Sequence, residues 1–157
     1  MSSSPNFVER LRPLIAGRPR GEQLFIAALL ESAAADRYRA WAAATSDEET
    51  AAGLETCAER EDVIAGTVRA HFAVELKKPD DFAALLGAIQ QEVEALFGGL
   101  GFEEQAAIQA AAERGGEQLW SELAEAEPDP ATKAVLLECA GLEASSAAFL
   151  EEMLAKR

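Results

Sequence analysis

The sequence predicts an all-α protein that folds as one domain. Long tracts of Ala, Leu and Glu run through its 157 residues, 49% of which are hydrophobic. Only 6 prolines and 11 glycines interrupt these tracts, so strong helix formers dominate. Four segments of about 24–30 residues repeat apolar residues every three or four positions, as amphipathic helices do, and no alternating strand pattern competes with them.

The first half of the chain is expected to form a short helix and then two long ones. The short helix is predicted at 6–15 and helix A at about 21–44. Ser46 is the expected N-cap of helix B, with Glu49 completing a capping box. Helix B is expected to end near 77–79, where two lysines suit the C-terminal end and a proline stops the run.

The second half is expected to form a shorter linking helix and two further long helices. Asp80 or Asp81 is the expected cap of the linking helix, which is predicted at about 82–97. Helix C is predicted at about 102–125 and helix D at about 130–156.

The lengths of the connections predict how these helices are arranged. Short links join helix A to helix B and helix C to helix D, so each pair is expected to be an antiparallel hairpin. The crossover 79–101 contains its own helix and is long enough to run back along the hairpins. The predicted fold is therefore a four-helix bundle over 21–157 with one long crossover, which is the ferritin-like arrangement.

The charge of the chain argues against several classes of function. A formal net charge of −14 disfavours nucleic-acid binding and anionic membrane surfaces, because phosphate contacts need clustered Lys and Arg. The longest apolar runs are far too short to span a membrane, and the N-terminus lacks the apolar core of a signal peptide. Two cysteines are compatible with a reducing compartment, so a cytoplasmic location is expected. Residues 1–20 form a basic arm, which is expected to pack on the acidic body or to reach a partner subunit.

Four glutamates occupy positions where a carboxylate is least expected. Each lies in the middle of the apolar stripe of a different long helix, and no Lys or Arg falls on these stripes. They are Glu31, Glu61, Glu113 and Glu143. A buried carboxylate is costly unless it has a cation, a metal or a proton as its partner. Four inward carboxylates from four helices are the ligands from which two-metal carboxylate sites are built.

The two predicted hairpins resemble each other at these glutamates. The first helix of each hairpin has an aromatic residue seven positions after its glutamate, and the second helix reads Cys-Ala-x-x-Glu. The glutamate and aromatic pairs are Glu31 with Tyr38 and Glu113 with Trp120. The Cys-Ala-x-x-Glu segments are residues 57–61 and 139–143. Such a pseudo-repeat is expected of the two halves of a symmetric dimetal protein.

At these positions the chain resembles the rubrerythrins of the ferritin-like superfamily. Residues 31–42 are similar to the first-helix signature, which is a ligand Glu, a Tyr seven residues on and an aromatic-Ala pair; residues 58–65 and 143–147 resemble the second-helix and fourth-helix segments. The resemblance implies two divalent metal ions, such as Fe or Mn, with Glu31 and Glu113 as terminal ligands and Glu61 and Glu143 as bridging ligands. It also implies a homodimer, and a non-haem dimetal oxidoreductase that turns over O₂ or peroxide or oxidises Fe²⁺.

Three positions depart from the family pattern. Ile64 and Ser146 stand where the family has its two histidines, and Trp120 replaces a third-helix aromatic that is usually Tyr. Four glutamates still balance the charge of two divalent cations, and an oxygen-only site suits Mn²⁺, Mg²⁺ or Ca²⁺ at least as well as Fe²⁺. A dimetal pair, a single ion and an empty site with protonated glutamates all remain open.

The sequence therefore leaves rival functions open. The first is a metal-binding protein, and whether it is an enzyme is undecided. The second is a non-catalytic bundle with a degenerate site, which serves as an oligomeric or partner-binding scaffold. A small-molecule pocket that uses Trp41 and Trp120 is a third alternative, although inward glutamates disfavour an apolar pocket.

The remaining polar residues are weaker candidates. His71, the single histidine, is expected at a helix end or on the surface. Cys57 and Cys139 are expected to be small buried residues too far apart for a disulfide, with a second ligand shell or a redox pair across a dimer as the alternative. Tyr38 is expected either to hydrogen-bond a site carboxylate or to reach solvent. The glycines at 115–116 are explained by a close helix approach or by a kink.

Overall fold

All the regular structure in the described residues is α-helical. The computed structural model describes residues 7–72 and 79–157. Within these ranges it has six helices, which are α1 (Phe7–Ile15), α2 (Arg20–Ala44), α3 (Glu48–His71), α4 (Pro79–Phe97), α5 (Phe102–Ala126) and α6 (Pro130–Ala155). The predicted all-α class is confirmed. None of the described helices is long and apolar enough to cross a lipid bilayer.

The four long helices pack as two pairs. α2 packs along α3, α5 packs along α6, and α3 also contacts α6. α2 and α5 run in opposite directions, because Arg20 at the start of α2 donates to Glu127 just beyond the end of α5, whereas Trp41 near the end of α2 donates to Gln105 near the start of α5.

The basic arm packs on its own chain where the structure describes it. α1 lies against α4 and α5, and Arg10 forms an ion pair with Glu92 of α4 at 3.3 Å. Leu11 of α1 is buried with Ile26 and Phe82 in an apolar cluster that joins α1, α2 and α4. The arm is thus one wall of the protein.

The rest of the core consists of two apolar clusters that lie along the long helices. The first surrounds Tyr38 and Leu54, and the second surrounds Ile64, Trp120 and Leu136. On each of the four long helices, the inward glutamate falls between the residues of the first cluster and those of the second. The carboxylates therefore form a polar layer across an otherwise apolar interior.

Three predicted helix boundaries are wrong. The N-cap of α3 is Asp47, not Ser46, and its carboxylate accepts a hydrogen bond from the Thr50 N–H at 2.9 Å. A charged carboxylate suits the positive end of a helix better than a hydroxyl does. Because Asp47 is the cap, Thr50 rather than Glu49 occupies the third helical position, and the expected capping box does not form.

The other two boundaries lie on either side of 73–78. α3 ends at His71, because Phe72 takes an extended conformation and packs against the apolar cluster around Ile64. The predicted end at Lys77 and Lys78 lies outside the described residues. α4 begins at Pro79 rather than at about 82, which suits a residue whose fixed φ is preorganised for the first turn. The expected caps Asp80 and Asp81 therefore lie inside the helix.

Candidate metal centre

The structure brings the four predicted ligands together in one layer. Carboxylate oxygens of Glu31, Glu61 and Glu143 all lie within 4.8 Å of one another. Glu113 lies beside this group, close enough to Glu143 to raise the pKa of that carboxyl group. The four side chains come from α2, α3, α6 and α5, so each long helix contributes one carboxylate.

Three of these carboxylates are almost completely buried. Glu61 is 0% exposed, and Glu113 and Glu143 are each 2% exposed. Glu31 is partly exposed because it faces a cavity. The Oε2 atoms of Glu61 and Glu113 are buried and accept no hydrogen bond from any described residue. Native proteins rarely leave such atoms unpartnered, so these two oxygens require an explanation.

Glu113 is held by a chain of side chains that leads to the surface. The Tyr38 hydroxyl donates to Glu113 Oε1 at 2.7 Å, and Gln109 Nε2 donates to the same oxygen at 2.6 Å. Arg37 Nε in turn donates to Gln109 Oε1 at 3.1 Å, and its guanidinium lies over the Phe97 ring. Of the two expectations for Tyr38, the structure shows the hydrogen bond to a site carboxylate.

Two further donors fix Glu143 and Glu61. Trp120 Nε1 donates to Glu143 Oε1 at 2.9 Å, and the Ser146 hydroxyl donates to Glu61 Oε1 at 3.1 Å. Each of the three buried glutamates therefore has one oxygen oriented by a neighbouring side chain. Outer hydrogen bonds of this kind are what orient the carboxylate ligands of metal sites.

Burial raises the pKa values of the clustered glutamates. Loss of hydration raises the pKa of Glu31 to about 7, although the neighbouring Glu61 carboxyl group opposes the rise. Loss of hydration, reinforced by the negative charges of Glu113 and Glu31, raises the pKa of Glu61 to about 11. The pKa of Glu143 is raised for the same first reason. Without a cation, the cluster therefore retains protons at neutral pH.

The pair of glycines in α5 makes room for the site. A Cβ atom at Gly116 would overlap the carboxylate of Glu143, and a Cβ atom at Gly115 would meet the Val8 side chain of α1. Close approach is therefore the reason for both glycines, and one of the two approaches involves a carboxylate of the site.

A cavity of about 280 Å³ connects this layer to solvent. It lies between α1, α2 and α5, and Glu31 and Glu113 form part of its wall together with Trp120. Trp41, the other tryptophan considered for a pocket, does not line it. The cavity gives a small molecule access to one side of the carboxylates.

The two positions at which the resemblance to rubrerythrins would place histidines are both fully buried. Ile64 is fully buried and offers no ligand atom, and the Ser146 hydroxyl is engaged with Glu61. Cys57 and Cys139 are free and buried, and burial raises the pKa of each thiol to about 12. They are therefore packing residues in this structure, and neither thiol is activated as a nucleophile.

His71 lies outside the site. It is exposed at the end of α3, where its Nε2 lies 2.9 Å from the Thr132 hydroxyl. The expectation of a histidine at a helix end is confirmed.

Two members of the site escaped the sequence reasoning. Gln109 is 4% exposed and lies one turn before Glu113 on the same face of α5, a spacing that could have revealed it. Arg37 lies next to Tyr38 and just off the apolar stripe, so the stripe does not include it. Its approach to the site through Gln109 depends on how α2 and α5 are placed.

Comparisons with known proteins supply no function for this chain. No protein-family model matches it, and neither a curated protein nor a solved structure is similar enough to count as a match. The function has to be argued from the site itself.

Proposed function

We propose that this chain is a ferritin-like four-helix protein that binds two divalent metal ions between its long helices. Glu31 and Glu113 would be the terminal ligands, and Glu61 and Glu143 would bridge the ions. The observation that carries the proposal is the pair of buried, unpartnered carboxylate oxygens on Glu61 and Glu113. Glu61 is also one of three glutamates, with Glu31 and Glu143, whose carboxylate oxygens lie within 4.8 Å of one another. A cation would satisfy both oxygens and offset the mutual repulsion of the acids.

The donor set fits hard divalent ions. Four carboxylates carry four negative charges, which two divalent cations balance. All four donors are oxygen ligands, and neither Ile64 nor the engaged Ser146 adds a nitrogen. Such a set favours Mn²⁺, Mg²⁺ or Fe²⁺ over ions that prefer imidazole or thiolate.

The chain's own residues would prepare this site. Tyr38, Gln109, Trp120 and Ser146 each donate to one carboxylate oxygen and so orient the carboxylate, which leaves the second oxygen of Glu61 and of Glu113 free. The cavity admits a small molecule on the side of Glu31 and Glu113. When bound, the ions would supply Lewis-acid or redox chemistry, and the likeness to rubrerythrins supports O₂, peroxide or Fe²⁺ as the reactant.

One observation favours a second candidate function. Raised pKa values allow Glu31, Glu61 and Glu143 to remain protonated and to share protons within the cluster without a metal. The chain would then be a non-catalytic helical scaffold for a partner or for a second copy of itself.

Metal content measured against a matched variant separates the two candidates. The protein is purified without chelator, Fe, Mn, Zn and Ca are quantified per chain, and Mn²⁺ binding is measured by equilibrium dialysis. We expect two ions per chain, and fewer in Glu113→Gln. The control is Glu117→Gln, which changes a glutamate one turn further along α5 that pairs with Arg114 at the surface. No stoichiometric metal and a melting temperature insensitive to EDTA would favour the scaffold.

A further inference from the structure

The cavity beside the glutamates has one polar inner end and long apolar walls. Glu31 and Glu113 form its inner end, and Leu24, Ala27 and Ala112 lie on its walls. Its rim includes the exposed Leu119 of α5, whose side chain adds an apolar surface at the opening. An extended apolar molecule can therefore enter beneath α1 and reach the carboxylate layer.

Arg12 provides a cationic group at the rim. It is exposed on α1, and its guanidinium forms no ion pair or hydrogen bond with any residue in the described part of the chain. The other arginines that line the cavity are engaged, because Arg20 pairs with Glu127 at 2.8 Å and Arg37 donates to Gln109. In a chain with a net charge of −14, a free guanidinium beside an apolar opening is a specific attraction for an anionic group.

We propose that the cavity binds a medium-chain aliphatic carboxylate. Its carboxylate group lies at Arg12, and its hydrocarbon chain runs between α2 and α5 toward Glu31 and Glu113. Octanoate matches the volume, since about 280 Å³ holds roughly nine groups of the size of a water molecule, at about 30 Å³ each. The proposal rests on the cavity and on Arg12, so it stands whether or not the glutamates hold metal ions.

The inner end of the cavity tolerates a hydrocarbon chain. Trp120 also lines the cavity and donates to Glu143, so the methyl end of the ligand meets an aromatic side chain there as well as the glutamates. Burial of the ligand's hydrocarbon chain drives binding, and Arg12 selects a carboxylate as the head group.

Calorimetric titration of the full chain with octanoate tests the proposal. We expect one site per chain, with weaker binding of 1-octanol and of octylamine. Arg12→Gln should lower the octanoate affinity by up to about fivefold, the range of an exposed ion pair. The matched control is Arg10→Gln on the same helix, because Arg10 does not line the cavity and its partner Glu92 is at the surface. This control should leave the affinity unchanged.

Filling the cavity gives an independent readout. Ala27→Phe and Ala112→Phe introduce bulk from opposite walls, on α2 and α5, and each should lower the affinity at least roughly tenfold through lost burial of the ligand chain. Two variants are used so that one that fails to fold does not decide the result. Metal content is measured on every sample, which separates this test from that of the metal centre.

Three results would overturn the proposal. The first is tighter binding of octylamine than of octanoate, which would place a cationic group at the glutamates. The second is octanoate binding that neither phenylalanine variant weakens. The third is the absence of octanoate binding. If the chain also forms a concentration-dependent dimer that the cavity-filling variants disrupt, a second copy of the chain is the occupant of the cavity.

Discussion

At the scale of single residues, the site is defined by which carboxylate oxygens have partners. Glu61 and Glu113 each accept hydrogen bonds through Oε1 and leave Oε2 unpartnered, although both side chains are buried. A glutamate kept only for packing would be replaced at little cost by an apolar residue of similar volume. The orientation of these carboxylates is therefore the feature that a metal explains best.

Glu61→Gln separates the effect of metal binding from that of burial. A neutral amide removes one ligand and also removes the cost of a buried charge, so the metal-free variant should be at least as stable as the metal-free parent chain at pH 7.5. The parent chain should gain about 2.7 kcal/mol of unfolding free energy at a metal concentration 100 times Kd, and the variant should lose most of this gain. Urea unfolding with Mn²⁺ and with EDTA measures both effects.

The control for this prediction lies two residues away. Glu59 is exposed on α3, so Glu59→Gln should respond to Mn²⁺ as the parent chain does. Equal Mn²⁺ stabilisation of Glu61→Gln and Glu59→Gln would exclude Glu61 as a ligand.

The raised pKa values predict how the stability of the metal-free chain depends on pH. Glu31 titrates near pH 7 and Glu61 near 11 in the folded state, against 4.5 as the ordinary value. At these two groups the folded state holds more protons than the unfolded state above pH 4.5, so their contribution to stability is fully present below this pH and falls as the pH rises through 7. Urea midpoints in EDTA should be lower at pH 8 than at pH 5.

Two comparisons check the origin of this slope. Glu61→Gln should reduce the fall in stability with rising pH, because the amide does not titrate. If the fall came instead from general repulsion in an acidic chain, this variant would show the same pH dependence as the parent chain. Excess Mn²⁺ should also reduce the fall in stability with rising pH, since carboxyl groups must lose their protons to bind metal. A metal-free midpoint that rises with pH would contradict the pKa shifts.

At the scale of the helices, Gly116 tests whether α5 is shaped around the site. A Cβ atom there would overlap the Glu143 carboxylate and force it from its hydrogen bond with Trp120. Gly116→Ala should therefore destabilise the chain by roughly 1–3 kcal/mol, despite the better helix propensity of alanine. It should also weaken Mn²⁺ binding, as measured by equilibrium dialysis.

Two helical glycines with open surroundings serve as matched controls. A Cβ atom at Gly66 of α3 or at Gly141 of α6 would meet nothing within 4 Å. Alanine at either position should raise the stability by about 0.5–1 kcal/mol, as it does in an exposed helix interior. If Gly116→Ala behaves like these two variants, α5 is not shaped around Glu143.

The helices were the part of the fold that the sequence predicted best. Their apolar periodicity placed α2, α5 and α6 to within one residue at each end. The start of α3 was missed by one residue because Ser46 and Asp47 are both good caps. The periodicity did not reveal that α2 has a second apolar face, where Ile26 packs with residues of α1 and α4 rather than of the other long helices.

At the scale of the whole molecule, the glutamate layer divides the core into two apolar clusters. The four glutamates could be identified from the sequence, because each interrupts an apolar stripe. The cavity could not, since it exists only where α1 lies over the space between α2 and α5. Gln109 and Arg37 join the site for the same reason, and no pattern along a single helix encodes that placement.

The most direct test of the central claim is anomalous scattering from crystals of the full chain soaked in Mn²⁺. The proposed dimetal site predicts two peaks between the four long helices, each about 2.0–2.6 Å from carboxylate oxygens of Glu31, Glu61, Glu113 or Glu143. Each Mn²⁺ ion should be coordinated by one of the two carboxylate oxygens that have no hydrogen-bond partner, on Glu61 and Glu113. Mn²⁺ peaks found only at the protein surface, with the four carboxyl groups hydrogen-bonded to one another, would contradict the claim.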